Sequence, residues 1–364
     1  MTRLERFALA LLAVLLLLLL ASFPPAIAQP FWVLRVLMPE MGAGVFALAL
    51  LPAVGLALKS PKFSLAALLL IAGLSLYPWV GAVRVGRQLP IDMERAFPGY
   101  RLNRPATRLG PRLCDVKVVT EVYKDRLEWD RYQPQKLPAR ARILFVHGGS
   151  WRNGTRKDYP QLLTYLASRG YEVVSLTYRL APNYPYPSAP EDLDAAIAKL
   201  SQDSLPLFLA GRSSGGHLAL LAAYTHSQQV AGVIAFYPPV DMVWSWENPS
   251  NPAVLNSQEA LSQFLGGSPA DKPEVYREAS PIHRADASSP PTLLIHGGRD
   301  SLVYLRQSQM LSGRLAQLEV PHHLLELPWA EHGGDVVLYG PTGVLSAWAI
   351  EDFLEGQLAP PPAR

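Results

Sequence analysis

Three long uncharged runs dominate the start of the chain, at residues 7–21, 42–58 and 63–83. Each run is long enough, or nearly long enough, to cross the hydrocarbon core of a bilayer as a helix. Three such runs in succession predict a small helical membrane module over residues 1–87, with two or three transmembrane helices.

The first run also has the features of a secretory signal peptide. Arg3 and Arg6 precede it, and Ala26-Ile27-Ala28 behind it resembles a cleavage site. The sequence leaves open whether this segment is cleaved or kept as a helix. An N-terminus held in the cytoplasm would place Lys59 and Lys62 there as well, and the rest of the chain would face outward. The arginines behind residue 83 favour the opposite orientation under the positive-inside rule. We expect a membrane protein whose larger domain faces outside the cytoplasm.

Further along, the pattern changes to short apolar runs that alternate with helical stretches. Such runs of four to six residues, rich in Leu, Ile, Val and Phe, predict buried strands. They lie at residues 143–146, 205–210, 292–295 and 324–327. Their alternation with helical patterns predicts a parallel sheet with crossover helices.

The same pattern predicts how the chain is divided. A linker rich in Pro and Arg is expected over residues 88–113, followed by a domain over residues 114–357. Within that domain, residues 241–281 break the alternation, which predicts an inserted cap with Trp244 and Trp246 in its core. Residues 358–364 are expected to form a disordered tail.

A serine lies between one predicted strand and a predicted helix. Ser213 stands in Gly211-Arg212-Ser213-Ser214-Gly215, which fits G-x-S-x-G. Glycine on both sides allows the chain to pass closely through a sharp strand-to-helix turn that exposes a nucleophilic serine.

Other reactive side chains follow the ends of the remaining runs. His147-Gly148-Gly149-Ser150 follows the first run, Asp300 follows the third, and His332 follows the fourth. Because parallel strands bring their carboxyl ends to one edge of a sheet, we expect Ser213, Asp300 and His332 to lie together. Two other acids compete with Asp300: Asp335, which lies after the histidine, and Asp241, which follows a different strand.

These motifs resemble the α/β-hydrolases of the esterase and lipase group, which includes hormone-sensitive-lipase-like and carboxylesterase-type enzymes. The resemblance covers roughly residues 115–354 and rests on the H-G-G loop, the G-x-S-x-G turn and the chain order Ser213, Asp300, His332. It implies an α/β-hydrolase fold with a mostly parallel central sheet and a small cap. The chain departs from the lipase-like H-G-G-G pattern at Ser150, which replaces the third glycine.

The resemblance also implies a role for each residue. Ser213 would be the nucleophile, His332 its general base and Asp300 the group that orients the histidine. The backbone N–H groups of Gly149, Ser150 and Ser214 would hold the oxyanion. His147, Gly148, Gly211 and Gly215 would support these motifs. Trp151, beside the oxyanion loop, is either a wall of the acyl pocket or a packing residue.

The function expected is that of a membrane-anchored serine hydrolase that cleaves carboxylic esters through an acyl-enzyme. An amide or formamide hydrolase and an acyltransferase would use the same triad. The alternative from another class is a hydrolase-fold binding module without catalysis. The expected partners are a small or amphiphilic ester and the lipid bilayer; the sequence does not indicate an oligomeric state.

Composition narrows these expectations further. The net charge is only +3, and the basic residues bunch behind the third apolar run, where they suit either lipid headgroups or a solvated linker. They are Arg84, Arg87, Arg95, Arg101, Arg104, Arg108 and Arg112. Nucleic-acid binding is therefore a poor interpretation. Cys114 is the only cysteine, which excludes an internal disulfide and a Cys-x-x-Cys zinc site. No metal and no cofactor are expected.

Overall fold

The computed structural model of the protein describes residues 2–57, 61–97, 115–136 and 138–358. Most of the predicted linker and nearly all of the predicted tail lie outside the described residues. The chain forms an N-terminal group of three helices and a larger α/β domain.

The three N-terminal helices pack into a bundle with an apolar outer surface. They are α1 (Arg3–Ala21), α2 (Gln29–Ala57) and α3 (Pro61–Ala96). Ala8, Leu12 and Leu19 of α1 bury against a cluster that includes Ala49 of α2 and Ile71 of α3. Large apolar side chains remain exposed around the bundle, among them Phe7, Leu17, Leu48, Val54 and Leu69. All three helices are long and apolar enough to cross a membrane, as the sequence pattern predicts.

Helix α3 extends past residue 87, the predicted end of the membrane module. Its last turns and the residue that follows them pack on the α/β domain, where Leu89, Met93 and Phe97 are buried. The Phe97 ring lies edge-on to the Phe353 ring, with 5.0 Å between their centroids. The helix bundle and the α/β domain are therefore joined by a continuous helix and share a core.

In the described part of the chain, a mixed sheet of eight strands forms the centre of the α/β domain, in the order β1-β2-β4-β3-β5-β6-β7-β8. Strand β2 pairs antiparallel with β1 on one side and with β4 on the other. Every neighbouring pair from β4 to β8 in this order is parallel. The strands are β1 (Val116–Lys124), β2 (Leu127–Pro134), β3 (Ala141–Val146), β4 (Tyr171–Leu176), β5 (Leu207–Arg212), β6 (Gly232–Phe236), β7 (Thr292–Gly297) and β8 (His322–Leu327). This confirms the predicted α/β fold with a mostly parallel sheet.

Helices cover both faces of the sheet, which explains why its central strands are apolar throughout. Along β3, Leu144 and Val146 join one buried cluster, while Ile143 and Phe145 join the cluster on the opposite face. The helices are α4 (Pro160–Ser168), α5 (Ser188–Leu200), α6 (Ser214–Thr225), α7 (Met242–Glu247), α8 (Ser257–Leu265), α9 (Pro273–Glu278), α10 (Pro281–Arg284), α11 (Arg306–Gln317) and α12 (Pro341–Leu358).

Four short helices, α7–α10, lie between β6 and β7, in the segment where the sequence pattern breaks. Phe264 of α8 stacks on Trp151, which follows β3, with 4.6 Å between ring centroids. The inserted segment is therefore packed directly on the loop beyond the carboxyl end of β3. Since β5, β7 and β8 also end at this edge of the sheet, the segment overlies the residues that follow these strands.

The contact between α3 and the α/β domain gives a stability prediction. Phe97→Ala should lower the free energy of unfolding by about 3–5 kcal/mol, because it leaves a cavity beside Phe353. The matched control is Ile91→Ala in the same part of α3, where the side chain is 42% exposed; it should change stability by less than ~0.5 kcal/mol. Thermal unfolding of the detergent-solubilised protein measures both. Equal effects would show that α3 is not part of the core.

Candidate active site

Ser213 lies on a strained turn between β5 and α6. Its backbone has φ 53° and ψ −124°, a conformation that non-glycine residues rarely adopt and that is found at functional sites. Two close approaches make this turn sensitive to side-chain size. A Cβ atom on Gly211 would lie 2.3 Å from the Gly215 oxygen, and one on Gly215 would lie 2.2 Å from the Val146 oxygen. Glycine is therefore required on both sides of the serine.

Three side chains from three loops form one hydrogen-bonded chain. Ser213 Oγ lies 3.0 Å from Nε2 of His332. His332 Nδ1 lies 2.7 Å from Oδ2 of Asp300. In the tautomer with the proton on Nδ1, His332 donates to Asp300 and accepts from the Ser213 hydroxyl. The arrangement can therefore remove a proton from Ser213 and hold the imidazolium that results.

Asp300 is buried, and both of its carboxylate oxygens accept hydrogen bonds. Its Oδ1 accepts from the N–H groups of Leu302 and Val303 at 2.9 and 2.8 Å. Its Oδ2 accepts from His332 and lies 3.3 Å from Nε2 of His296. Burial alone would raise the pKa of Asp300, but the neighbouring His332 and these hydrogen bonds outweigh it and hold the pKa well below its usual range. Asp300 is therefore ionised at neutral pH.

The same balance acts on His332 in the opposite sense. Burial lowers the pKa of a histidine, but the negative charges around His332 prevail and raise the pKa above its ordinary value of 6.5. Asp300 contributes most to this rise, followed by Glu331 and Asp335. The ring also lies against Tyr237, with 4.2 Å between centroids. His332 can therefore both take up and release a proton near neutral pH.

The loop after β3 lies directly beside the serine. A Cβ atom on Gly148 would be 2.9 Å from the Arg212 oxygen and 3.3 Å from Cβ of Ser213. Gly149 and Ser150 both have positive φ, 119° and 55°. Ser150 thus adopts a left-handed conformation that glycine would accept more readily, although it still presents a backbone N–H.

The predicted oxyanion donors lie on this loop and at the start of α6. Within the described residues, the N–H groups of Gly149, Ser150 and Ser214 take part in none of the turn and loop hydrogen bonds between backbone groups. Ser150 and Ser214 line one pocket together with Ser213. Ser150 and Ser214 therefore lie beside Ser213 with backbone N–H groups that these hydrogen bonds do not use.

His147 contacts the backbone of its own loop and the ring of Tyr178. Its Nδ1 lies 2.7 Å from the Gly148 oxygen, and its ring stacks on Tyr178 at 4.4 Å. Burial lowers the pKa of His147. A neutral, stacked imidazole of this kind serves to hold the loop in place.

The two competing acids are engaged elsewhere. Asp335 forms a buried ion pair with Arg212 and accepts from the Tyr237 hydroxyl at 2.7 Å. Asp241 caps α7 by accepting from the N–H of Trp244 at 3.0 Å. Of the three acids considered from the sequence, Asp300 is the one hydrogen-bonded to His332.

A narrow pocket of about 50 Å³ lies beside Ser213. Its walls are mainly apolar and come from the loop after β3, from the cap and from the segment after β7. They include Trp151, Trp244, Leu255, Leu261, Leu302, Val303 and Tyr304. Trp151 is at once a wall of the pocket and a packing residue, since it also stacks on Phe264. Trp244, expected in the core of the cap, is half-buried and lines the pocket instead.

Within the described residues, no group of three His, Cys, Asp or Glu side chains is arranged to hold a metal ion.

Two residues beside the site were not predicted from the sequence. Gln307 of α11 lines the pocket and accepts from the N–H groups of Val240 and Asp241 at 2.7 and 2.9 Å. Arg212, inside the G-x-S-x-G motif, is buried against Asp335 and lies 3.8 Å over the Tyr159 ring. Neither residue stands out by type or spacing. Arg212 could have been suspected only because a buried strand ends on a charge.

A family model matches the middle part of the chain. The BD-FAE family model matches residues 129–315, just over half of the chain. The chain belongs to the BD-FAE family. The match begins in β2 and ends in α11, so it includes the serine turn, the loop after β3 and Asp300 but not His332.

Relatives of this BD-FAE family member carry esterase and lipase names. Esterase LipC of Mycobacterium tuberculosis is 33% identical over 250 residues, 62% of this chain and 60% of that protein. Lipase 2 of a Moraxella species is 34% identical over 143 residues, 37% of this chain and 31% of that protein. The chain thus spans at most about three-fifths of the length of these relatives. The resemblance to α/β-hydrolases of the esterase and lipase group is confirmed.

Solved structures share the fold at lower identity. A bacterial heroin esterase superposes with a TM-score of 0.57 at 21% identity, over 69% of this chain and 86% of that chain. An esterase of Pyrobaculum calidifontis superposes with a TM-score of 0.56 at 22% identity, over 77% of this chain and 92% of that chain. These similarities support the α/β-hydrolase fold of the BD-FAE domain.

The two acids near His332 can be separated by substitution. Asp300→Asn should slow the labelling of Ser213 by a fluorophosphonate about 10³–10⁴-fold, because the histidine loses the partner that fixes its tautomer. Asp335→Asn should slow labelling far less and should instead cost about 3 kcal/mol of stability, since it leaves Arg212 buried without its charged partner. Labelling rates and thermal unfolding of both variants test this. Faster labelling of the Asp300 variant than of the Asp335 variant would contradict the assignment.

Proposed function

We propose that the protein is a membrane-anchored carboxylic ester hydrolase that works through an acyl-enzyme on Ser213. The observation that carries this proposal is the hydrogen-bonded chain from Ser213 through His332 to Asp300, with distances of 3.0 and 2.7 Å. The esterase and lipase names of the relatives support the same chemistry.

In the first half of the reaction, Ser213 Oγ attacks the ester carbonyl while His332 Nε2 takes the hydroxyl proton. The carbonyl oxygen becomes an oxyanion, which the N–H groups of Gly149, Ser150 and Ser214 would hold. Loss of one such donor typically costs about 10²–10³ in rate. The tetrahedral intermediate collapses, the imidazolium returns its proton to the alkoxide, and the alcohol leaves.

In the second half, water takes the place of the alcohol. His332 removes one proton from the water as it attacks the acyl carbon, and the returned proton restores the Ser213 hydroxyl when the acid leaves. Asp300 stays ionised throughout and stabilises each imidazolium. Its depressed pKa supports this role.

The narrow pocket supports short acyl groups. Trp244, Leu261 and Val303 restrict the space beside Ser213, and apolar walls offer nothing to a charged acyl group. An amphiphilic ester with a short acyl chain fits both this pocket and a protein held at a membrane.

The bundle supports a placement of the enzyme on the outer side of a membrane. The first half of α2 packs on the α/β domain through Arg35 and Glu40, so the bilayer part of α2 would begin at Met41. The 17 residues from there to Ala57 would span about 25 Å at 1.5 Å per residue. Arg3 and Arg6 would then lie on the side away from the domain, which favours a cytoplasmic N-terminus and an outward-facing domain.

The central test is hydrolysis of p-nitrophenyl esters from acetate to palmitate by the full chain in detergent. Activity should peak at the short acyl groups and fall at least about tenfold by decanoate, because longer chains do not fit the pocket. Ser213→Ala should reduce kcat by about 10⁴-fold or more. The matched control is Ser204→Ala, an exposed serine, which should leave activity unchanged.

A series of p-nitroanilides run beside the esters separates the two substrate classes. If anilides or formanilides are cleaved and esters are not, the protein is an amide hydrolase with the same triad. If neither is cleaved and Ser213 resists a fluorophosphonate, the domain is a binding module and the proposed function is wrong.

The pH dependence follows from the charge state of His332. Neutral His332 is the active base and its pKa is raised, so kcat/KM should increase with pH through an apparent pKa above 6.5. Titration of the rate from pH 5 to pH 9 measures this limb. A limb below pH 6.5, the ordinary histidine value, would contradict the electrostatic environment described above.

A further inference from the structure

A buried ion pair connects the N-terminal bundle to the segment that carries His332. Arg35 lies in the first half of α2, and its Nε donates to Oε2 of Glu331 at 2.6 Å. Arg35 is 6% exposed and Glu331 is 2% exposed. Glu331 directly precedes His332, so this contact reaches the backbone of the proposed catalytic base.

Glu331 connects the two loops that deliver the acid and the base. Its Oε1 accepts from the N–H of Ser301 at 2.6 Å, from the Ser301 hydroxyl at 3.0 Å and from the N–H of His332 at 3.1 Å. Ser301 follows Asp300 directly. One carboxylate therefore fixes the segments on either side of the hydrogen bond between Asp300 and His332.

Arg35 adds further bonds to the same place. Its Nη2 donates to the Arg299 oxygen at 3.0 Å, and its Nη1 donates to the oxygens of Phe23 and Pro24 at 3.1 and 2.5 Å. The Arg299 side chain in turn donates to the oxygens of Ser22 and Phe23 at 2.6 and 2.9 Å. The turn between α1 and α2 is thus bonded to the residue before Asp300.

A charged residue in a helix this apolar is costly unless it has a specific partner. Arg35 and Glu40 both lie in α2, and both bury their side chains on the α/β domain. Glu40 accepts from the N–H and hydroxyl of Thr342 at the start of α12, at 3.0 and 2.5 Å. Glu40 therefore contacts a structural helix, whereas Arg35 contacts the proposed catalytic loops.

We propose that Arg35 is a positioning residue, through which α2 neutralises Glu331 and holds the Asp300 and His332 loops in register. The inference rests on the proposed function and makes the N-terminal bundle a part of the active site. Neither Arg35 nor Glu331 lies within the residues matched by the BD-FAE family model.

The charges around His332 give this role a measurable signature. Asp300, Glu331 and Asp335 all raise the pKa of His332. Among the described residues, Ser213 and Tyr237 also face it, with His296 behind Asp300 and Arg212 behind Asp335. Arg35 is the cation that offsets Glu331. Its removal leaves Glu331 unneutralised and favours the imidazolium, whereas loss of the Glu331 charge favours the neutral ring.

The test measures the rate at which a fluorophosphonate labels Ser213 in the full chain in detergent, from pH 5 to pH 9, with ester kinetics beside it. Arg35→Met should move the acid limb upward by about one pH unit, and the rate at pH 7 should fall about four- to tenfold. The loss should appear in kcat more than in KM, because the pocket is unchanged.

Glu331→Gln should move the acid limb of the pH profile downward. Arg35→Met combined with Glu331→Gln should bring the limb back below that of Arg35→Met alone.

The matched control is Glu40→Gln, in the same helix and on the same interface. It should lower thermal stability without moving the acid limb, since the hydrogen bonds of Glu40 go to Thr342 of α12 and not to Asp300, Glu331 or His332. Should Arg35→Met fail to fold, Arg35→Lys keeps the charge and should retain the position of the limb with a lower rate, and Glu331→Gln still gives its downward shift.

The proposal is overturned if Arg35→Met and Glu40→Gln change the profile equally, or if neither Arg35→Met nor Glu331→Gln moves the limb. Failure of the proposed function has a different result. Labelling needs no ester substrate, so an enzyme that labels normally but cleaves no ester refutes the substrate class and leaves the role of Arg35 measurable. Wild-type protein that does not label at all refutes both.

Discussion

The close approach of the loop after β3 to the turn at Ser213 is the constraint on which the rest of the site depends. Gly215 passes so near the Val146 oxygen that no side chain fits between them, and this contact holds the left-handed backbone of Ser213. The position of Ser213 is therefore fixed. The loop after β3, the histidine after β8 and the pocket walls all lie around it. The parallel sheet supplies this arrangement, because its strands end together.

A second theme is the burial of charge. The site contains carboxylates that are shielded from water, and each has a specific partner: His332 for Asp300, Arg212 for Asp335 and Arg35 for Glu331. Such pairs contribute little to net stability when compared with apolar residues, but removal of one partner is costly. They therefore act mainly to fix geometry and the charge state of the histidine. The bundle takes part in this balance through Arg35.

The fold could be predicted because local pattern and chain order determine it. The same chain order predicts that Ser213, Asp300 and His332 lie together, and the structure has them in one hydrogen-bonded chain. Buried strands appear as apolar runs, and residues after parallel strands meet at one edge. Arg35, Gln307 and the exposed face of Trp244 could not be predicted, since their roles depend on contacts between segments far apart in sequence. Arg35 and Glu331 are 296 positions apart, and no periodicity connects them. The sequence pattern predicts that the membrane module ends at residue 87, whereas α3 continues to Ala96. The end of α3 depends on burial against a distant helix, which the pattern does not show.

The continuity of α3 has a consequence for how the enzyme would meet its substrate. A helix of 36 residues is about 54 Å long at 1.5 Å per residue, and its two halves belong to the apolar bundle and to the α/β core. With the first half in a bilayer, the helix would hold Ser213 at a constant height above the lipid surface. Turnover would then depend on how many ester molecules occupy each unit of membrane area, and dilution of the surrounding water would matter little.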